Sequence, residues 1–172
     1  RFPAFSDGSV YADGPAGTQV PDSVITAVSE AMVSAVSNVG GSFAASDRAG
    51  TIVDAARAAG ADFLGGSVDE IVFGANMTTL TFALARAVAQ TWSPGEKIVL
   101  SRLDHDGNVS SWMRAAVDRG VEVVFCDIDP TDVTLDVDQL ADLVDDRTRL
   151  VAVTGCSNAF GTLVDISRVA EI

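Results

Sequence analysis

Three segments, 97–100, 121–126 and 150–154, constrain the fold of this chain more than any others. Each is dominated by valine, isoleucine, leucine or another apolar residue, without the in–out alternation of a strand that has one face in water. Continuous apolar runs of this length, bounded by turn residues, belong to strands covered on both faces. Helical spacing fills the gaps between them, over 108–120 and 136–144, and a further helix opens at Asp165. Strands that alternate with helices predict an α/β fold, a three-layer α/β/α sandwich around a mostly parallel sheet.

The preceding residues differ in character. Segment 3–21, rich in Gly, Pro, Asp and Ser, reads as an extended arm. Pro21-Asp22-Ser23 then opens a helix whose apolar positions Val24, Ile25, Val28, Met32 and Val36 recur at helical spacing. Two glycines within 38–42 break it. A second helix is expected over 46–64, ended by Gly65-Gly66. A short strand at 70–74 and a helix at 78–92, closed by Ser93-Pro94-Gly95, lead into the alternating region. The expected organisation is an arm with its first helix, 1–45, followed by the first part of a larger domain, 46–172.

The net charge of −13 argues against a nucleic-acid backbone or an anionic membrane as partner. Cys126 and Cys156 each lie in or beside an apolar run and read as buried free thiols. Without a signal peptide or a long apolar span, a cytoplasmic location is expected. The chain begins at Arg1 and stops at Ile172 within a young helix, so it reads as part of a longer protein.

Chemistry is expected where strands run into loops, because ligands of open α/β sheets bind beyond the carboxyl ends of the strands. Asp104-His105-Asp106 holds the only histidine. A metal site there lacks a second imidazole or a thiolate pair, and no metal is expected. A hydrolytic triad lacks its Gly-x-Ser-x-Gly turn. A flat imidazole that stacks on a planar ligand and moves protons remains open beside a plain surface loop. Met77-Thr78-Thr79 follows a small-residue turn at a helix start, which suits either threonine capping or an anion on free N–H groups. No P-loop and no Gly-x-Gly-x-x-Gly follows any strand. The loop Thr154-Gly155-Cys156-Ser157-Asn158 supplies polar donors and acceptors, or is only a turn.

Taken together, these segments resemble the class V aminotransferase family, the cysteine desulfurase-like enzymes that depend on pyridoxal 5'-phosphate. The resemblance rests on Tyr11-Ala12-Asp13-Gly14-Pro15-Ala16-Gly17, Asn38-Val39-Gly40-Gly41-Ser42, Glu70-Ile71-Val72-Phe73 and Met77-Thr78-Thr79. It continues through His105-Asp106-Gly107-Asn108 with Trp112 and Ser157-Asn158-Ala159-Phe160-Gly161-Thr162. It implies the large domain of a type I pyridoxal-phosphate transferase, incomplete here. It also implies that Met77 and Thr78 hold the cofactor phosphate and that His105 stacks on the ring and acts in catalysis. Asn158 would meet both cofactor and substrate, and Ala16 and Gly17 would pass the substrate pocket.

The activity implied is a C–S lyase or desulfurase reaction on a small amino-acid substrate, in a homodimer. Transamination or epimerisation is the near alternative, and a non-catalytic scaffold relative the distant one. The family's ring-nitrogen aspartate and Schiff-base lysine would lie beyond Ile172, and Lys97, the only lysine, starts a strand. The 172 residues alone are therefore expected to be inactive. Gly40-Gly41 and the Gly14-Pro15-Ala16-Gly17 arm depart from the common family pattern and leave the substrate open.

Overall fold

A computed structural model describes every residue from Arg1 to Ile172. The chain divides into two compact units, Arg1–Phe73 and Gly74–Ile172.

The first unit is helical. Short 3-10 turns at Pro3–Phe5 and Gly14–Ala16 punctuate the arm. Helix α1 spans Asp22–Ser34 and helix α2 spans Ala44–Leu64. Their linker is pinned by the buried Ser46 hydroxyl, which donates to the Asn38 carbonyl and accepts the Gly41 N–H, each at 2.7 Å. Val28, Met32, Ile52 and Val53 line a groove formed by both helices and stay partly exposed. Helix α2 ends on Gly65, whose φ of 70° is the left-handed cap that favours glycine.

The strand expected at 70–74 does not form. Val68–Glu70 is a 3-10 turn closed by a capping box, in which the Glu70 carboxylate accepts the Ser67 N–H at 2.7 Å and its hydroxyl at 2.9 Å. Ile71 then takes extended angles, but residues 71–73 carry no ladder hydrogen bonds. Apolar, β-branched sequence favours extended backbone; a strand also needs a paired neighbour.

The second unit carries the sheet. Helix α3, Met77–Val88, continues as a 3-10 turn to Thr91. Strand β1 (Lys97–Ser101) leads through a 3-10 turn at Asp106–Asn108 to helix α4 (Ser110–Arg119). Strand β2 (Glu122–Cys126), helix α5 (Val137–Leu143), strand β3 (Thr148–Ala152) and helix α6 (Ile166–Glu171) follow. All strands are parallel, in the order β2-β1-β3.

Both faces of the sheet are covered, as the unbroken apolar runs require. Ile98 and Leu100 pack with Val123, Phe125, Leu150 and Ala152 against Ala85, Trp112 and Ala116 of α3 and α4. Val99, Cys126, Val151 and Val153 face the other way, against Leu140 of α5 and Val169 of α6. The chain leaves β1 through α4 to one neighbour, then crosses through α5 to β3 on the other side. Right-handed crossovers in opposite directions place α4 and α5 on opposite faces. The expected three-layer α/β/α arrangement is present.

Charged residues fasten the amino ends of the strands. Lys97, with a side chain 8% exposed, pairs with Asp145 at 2.9 Å, and Arg149 pairs with Glu96 at 2.6 Å. No helix is long and apolar enough to cross a membrane.

Candidate active site

The order β2-β1-β3 puts a topological switch at the carboxyl ends of β1 and β3, where the connections leave in opposite directions. Such a point opens a crevice. The loop after β1 carries His105, and the loop after β3 carries Asn158.

The two loops are tied together. The Asp104 carboxylate accepts the main-chain N–H of Thr154 at 2.9 Å and the Asn108 side-chain amide at 2.7 Å, and it also binds the Ser101 hydroxyl. The buried Ser157 hydroxyl donates to the Leu103 carbonyl at 3.4 Å. Asn108 accepts the indole N–H of Trp112 at 3.0 Å, and Trp112 is anchored in the core beside Trp92.

His105 is exposed, with its orientation set by its own loop. Its Nδ1 accepts the Gly107 N–H at 2.9 Å. A neutral imidazole whose Nδ1 accepts carries its proton on Nε2. The outward nitrogen of the neutral ring is therefore a hydrogen-bond donor.

The amino end of α3 meets the same loop. A Cβ added to Gly107 would lie 2.7 Å from Thr78 Oγ1, 3.1 Å from His105 Nδ1 and 3.3 Å from the Met77 methyl. Only a glycine lets the His105 loop approach the helix end this closely. Helix α3 is capped by Asn76, whose side chain accepts the Thr79 N–H at 2.8 Å. The threonine-capping reading is thus corrected: the asparagine one residue before the helix takes that role. The N–H groups of Met77 and Thr78 and the Thr78 hydroxyl have no acceptor within the chain. Three donors at the positive end of a helix suit a phosphate group.

Asn158 is exposed at the tip of a turn closed by Ser157 and Thr162, with Gly161 at φ 74°. Its amide is engaged by no group of the chain, and its neighbour Ser157 holds the turn to the His105 loop. The second unit therefore brings Met77 and Thr78, at the start of α3, against the loop of His105, which is tied in turn to the loop of Asn158. Ala16 and Gly17 belong to the first unit, exposed on the Gly14–Ala16 turn and its cap.

Cys156 corrects a sequence expectation, being exposed rather than buried. It follows the apolar strand by four residues, far enough to leave the core. Cys126 is buried, and burial together with Asp136 and Asp127 pushes its thiol up to about 11. Asp104 is the residue that the sequence leaves without a role, once a metal site around His105 is set aside. Its principal partner lies 50 residues away, and only the Asp-x-x-x-Asn spacing to Asn108 gave any local sign.

The sequence matches the family model described as aminotransferase class-V over residues 10–172. It is 34% identical over 170 residues to an uncharacterised protein of Mycobacterium tuberculosis, an alignment covering 99% of this chain and 43% of that one. A cysteine desulfurase of Pectobacterium carotovorum is 36% identical over 156 residues, covering 89% of this chain and 38% of that one. The apo cysteine desulfurase of Thermococcus onnurineus superposes with a TM-score of 0.90 at 26% identity, over 99% of this chain and 44% of that structure. The chain spans less than half the length of these relatives.

Proposed function

Since the chain belongs to the class V aminotransferase family, we propose that it is the amino-terminal part of a cysteine desulfurase-like enzyme dependent on pyridoxal 5'-phosphate. The observation that carries this reading is the approach of the His105 loop to the start of α3. It sets three unengaged donors beside an imidazole of fixed orientation.

The residues fit the cofactor. The Met77 and Thr78 N–H groups and the Thr78 hydroxyl would hold its phosphate, with charge-assisted hydrogen bonds on the helix dipole. His105 would lie against the ring, and Asn158 would donate to the ring hydroxyl and to the substrate carboxylate. When bound, pyridoxal phosphate supplies an electron sink for bond breaking at the substrate's Cα or Cβ. His105, in the neutral form with Nε2–H facing outward, would donate a hydrogen bond to the substrate, and its ring takes up a proton only where Nδ1 releases the Gly107 N–H. The Gly107 N–H holds that tautomer by occupying Nδ1, so the loop sets which nitrogen faces the ligand.

Lys97 is not placed to tether the cofactor. It begins β1, at the end of the strand opposite the candidate site, and its ammonium is buried against Asp145. The tethering lysine is therefore assigned to residues outside this chain, and these 172 residues alone are assigned no activity. The intact protein is read as a homodimer that takes a cysteine-type amino acid. The full-length protein, reconstituted with pyridoxal phosphate, should release sulfur from L-cysteine or L-cystine. Turnover of amino donors to keto acids without sulfur release would move the assignment to a transaminase. No turnover of any amino acid with the cofactor bound would favour a binding or scaffold protein.

A further inference from the structure

We infer that Asp104 is the positioning residue of this site. It acts through a hydrogen-bond relay of fixed polarity, Thr154–Asp104–Asn108–Trp112. Cofactor and substrate roles assigned to the neighbouring His105 rest on the function proposed above; the relay itself does not.

The two ends of the relay determine what must stand between them. At one end is the Thr154 main-chain N–H, 2.9 Å from an Asp104 oxygen. At the other is the Trp112 indole N–H, 3.0 Å from the Asn108 oxygen. Neither group can accept a hydrogen bond, so both ends are permanent donors. Asn108 gives its oxygen to Trp112 and must turn its NH2 toward Asp104, where it donates at 2.7 Å. Residue 104 therefore faces a donor on each of its two oxygens, and Ser101 adds a third. Only a carboxylate accepts on both sides.

An asparagine at position 104 is nearly the same shape but cannot meet this demand. Its NH2 would confront either the Thr154 N–H or the Asn108 NH2. Flipping Asn108 would only pass the conflict to the buried Trp112. The Ser101 hydroxyl can rotate, but the indole and main-chain donors cannot. What the relay holds is the site: Asp104 precedes His105, and Thr154 begins the loop that bears Asn158. Met77 and Thr78 are outside the relay. Its loss would spread the two loops while leaving the phosphate donors in place.

The polarity gives a test by exchange. In the double variant Asp104→Asn/Asn108→Asp, the amide now at position 104 offers its oxygen to Thr154. Its NH2 turns to the carboxylate now at position 108, which also accepts the Trp112 indole. Every donor is again matched. In the full-length protein, Asp104→Asn should speed hydrogen exchange at the Thr154 and Gly107 amides roughly 10- to 100-fold. With pyridoxal phosphate bound, it should lower kcat about tenfold or more while the cofactor's affinity changes by less than about threefold. The double variant should restore both the exchange protection and kcat to within about threefold of the parent. A double variant no better than Asp104→Asn, or Asp104→Asn indistinguishable from the parent in amide exchange, would overturn the relay. Failure of the parent to bind pyridoxal phosphate would instead count against the proposed function, and the amide-exchange comparison would still decide the relay.

Discussion

Gly107 and Thr78 approach so closely that a methyl group at 107 would come within 2.7 Å of the Thr78 hydroxyl. The hydroxyl can escape only by rotating away from the start of α3, where it is one of three unengaged donors. Gly107→Ala should therefore weaken binding of pyridoxal phosphate about tenfold, through the displaced hydroxyl, with a stability loss of about 1–3 kcal/mol from overpacking. Fluorescence titration with the cofactor and chemical denaturation read the two effects separately.

Thr78→Val removes the same hydroxyl without adding bulk. Because that hydroxyl has no partner in the chain, the unfolding midpoint should hardly move. Cofactor affinity should fall by about tenfold, the worth of one hydrogen bond to a charged group. Asn76→Ala should behave oppositely in kind, costing about 1 kcal/mol of stability by uncapping α3.

His105→Ala should separate chemistry from retention. The phosphate donors lie on Met77 and Thr78, so the cofactor should stay bound while conversion of the amino-acid substrate falls about 100-fold or more. Parallel measurement of bound cofactor and turnover checks this. Equal loss of both would make His105 structural support only.

The strand-start ion pairs predict an acid limb of stability. The Lys97 hydrogen bond, then the Arg147 N–H, hold Asp145 below its ordinary value of 3.8; the Ser93 N–H, then Arg149, hold Glu96 below 4.5. Depressed carboxylates contribute stability in full above those ordinary values and lose it as pH falls through the lower folded ones. Thermal unfolding should be flat near neutrality and fall below about pH 4.5, and Asp145→Asn should lower the plateau and shallow the fall.

The layered fold was legible because 98–100, 123–126 and 150–153 are covered on both faces, which leaves an unmistakable apolar run. The segment 70–74 misled for the same reason: its composition favours extended backbone, but pairing is a property of neighbours. Among the site residues, Met77 and Thr78 could be picked out by their place at a helix start, His105 and Asn158 by their places in loops after strands, and all four by resemblance. The role of Asp104 could not, since its chief partner is a main-chain N–H on another loop. Cap choice turned on one position, Asn76 against the threonines, which local sequence leaves nearly balanced.

Titration of the full-length protein with pyridoxal 5'-phosphate, followed by borohydride, tests the cofactor assignment most directly. Saturable binding with a new visible absorption band is expected, the band being lost on reduction as the cofactor becomes fixed to the protein. Thr78→Val should shift the binding curve to higher cofactor concentration. Absence of the band, or a band whose binding curve ignores Thr78, would contradict the assignment.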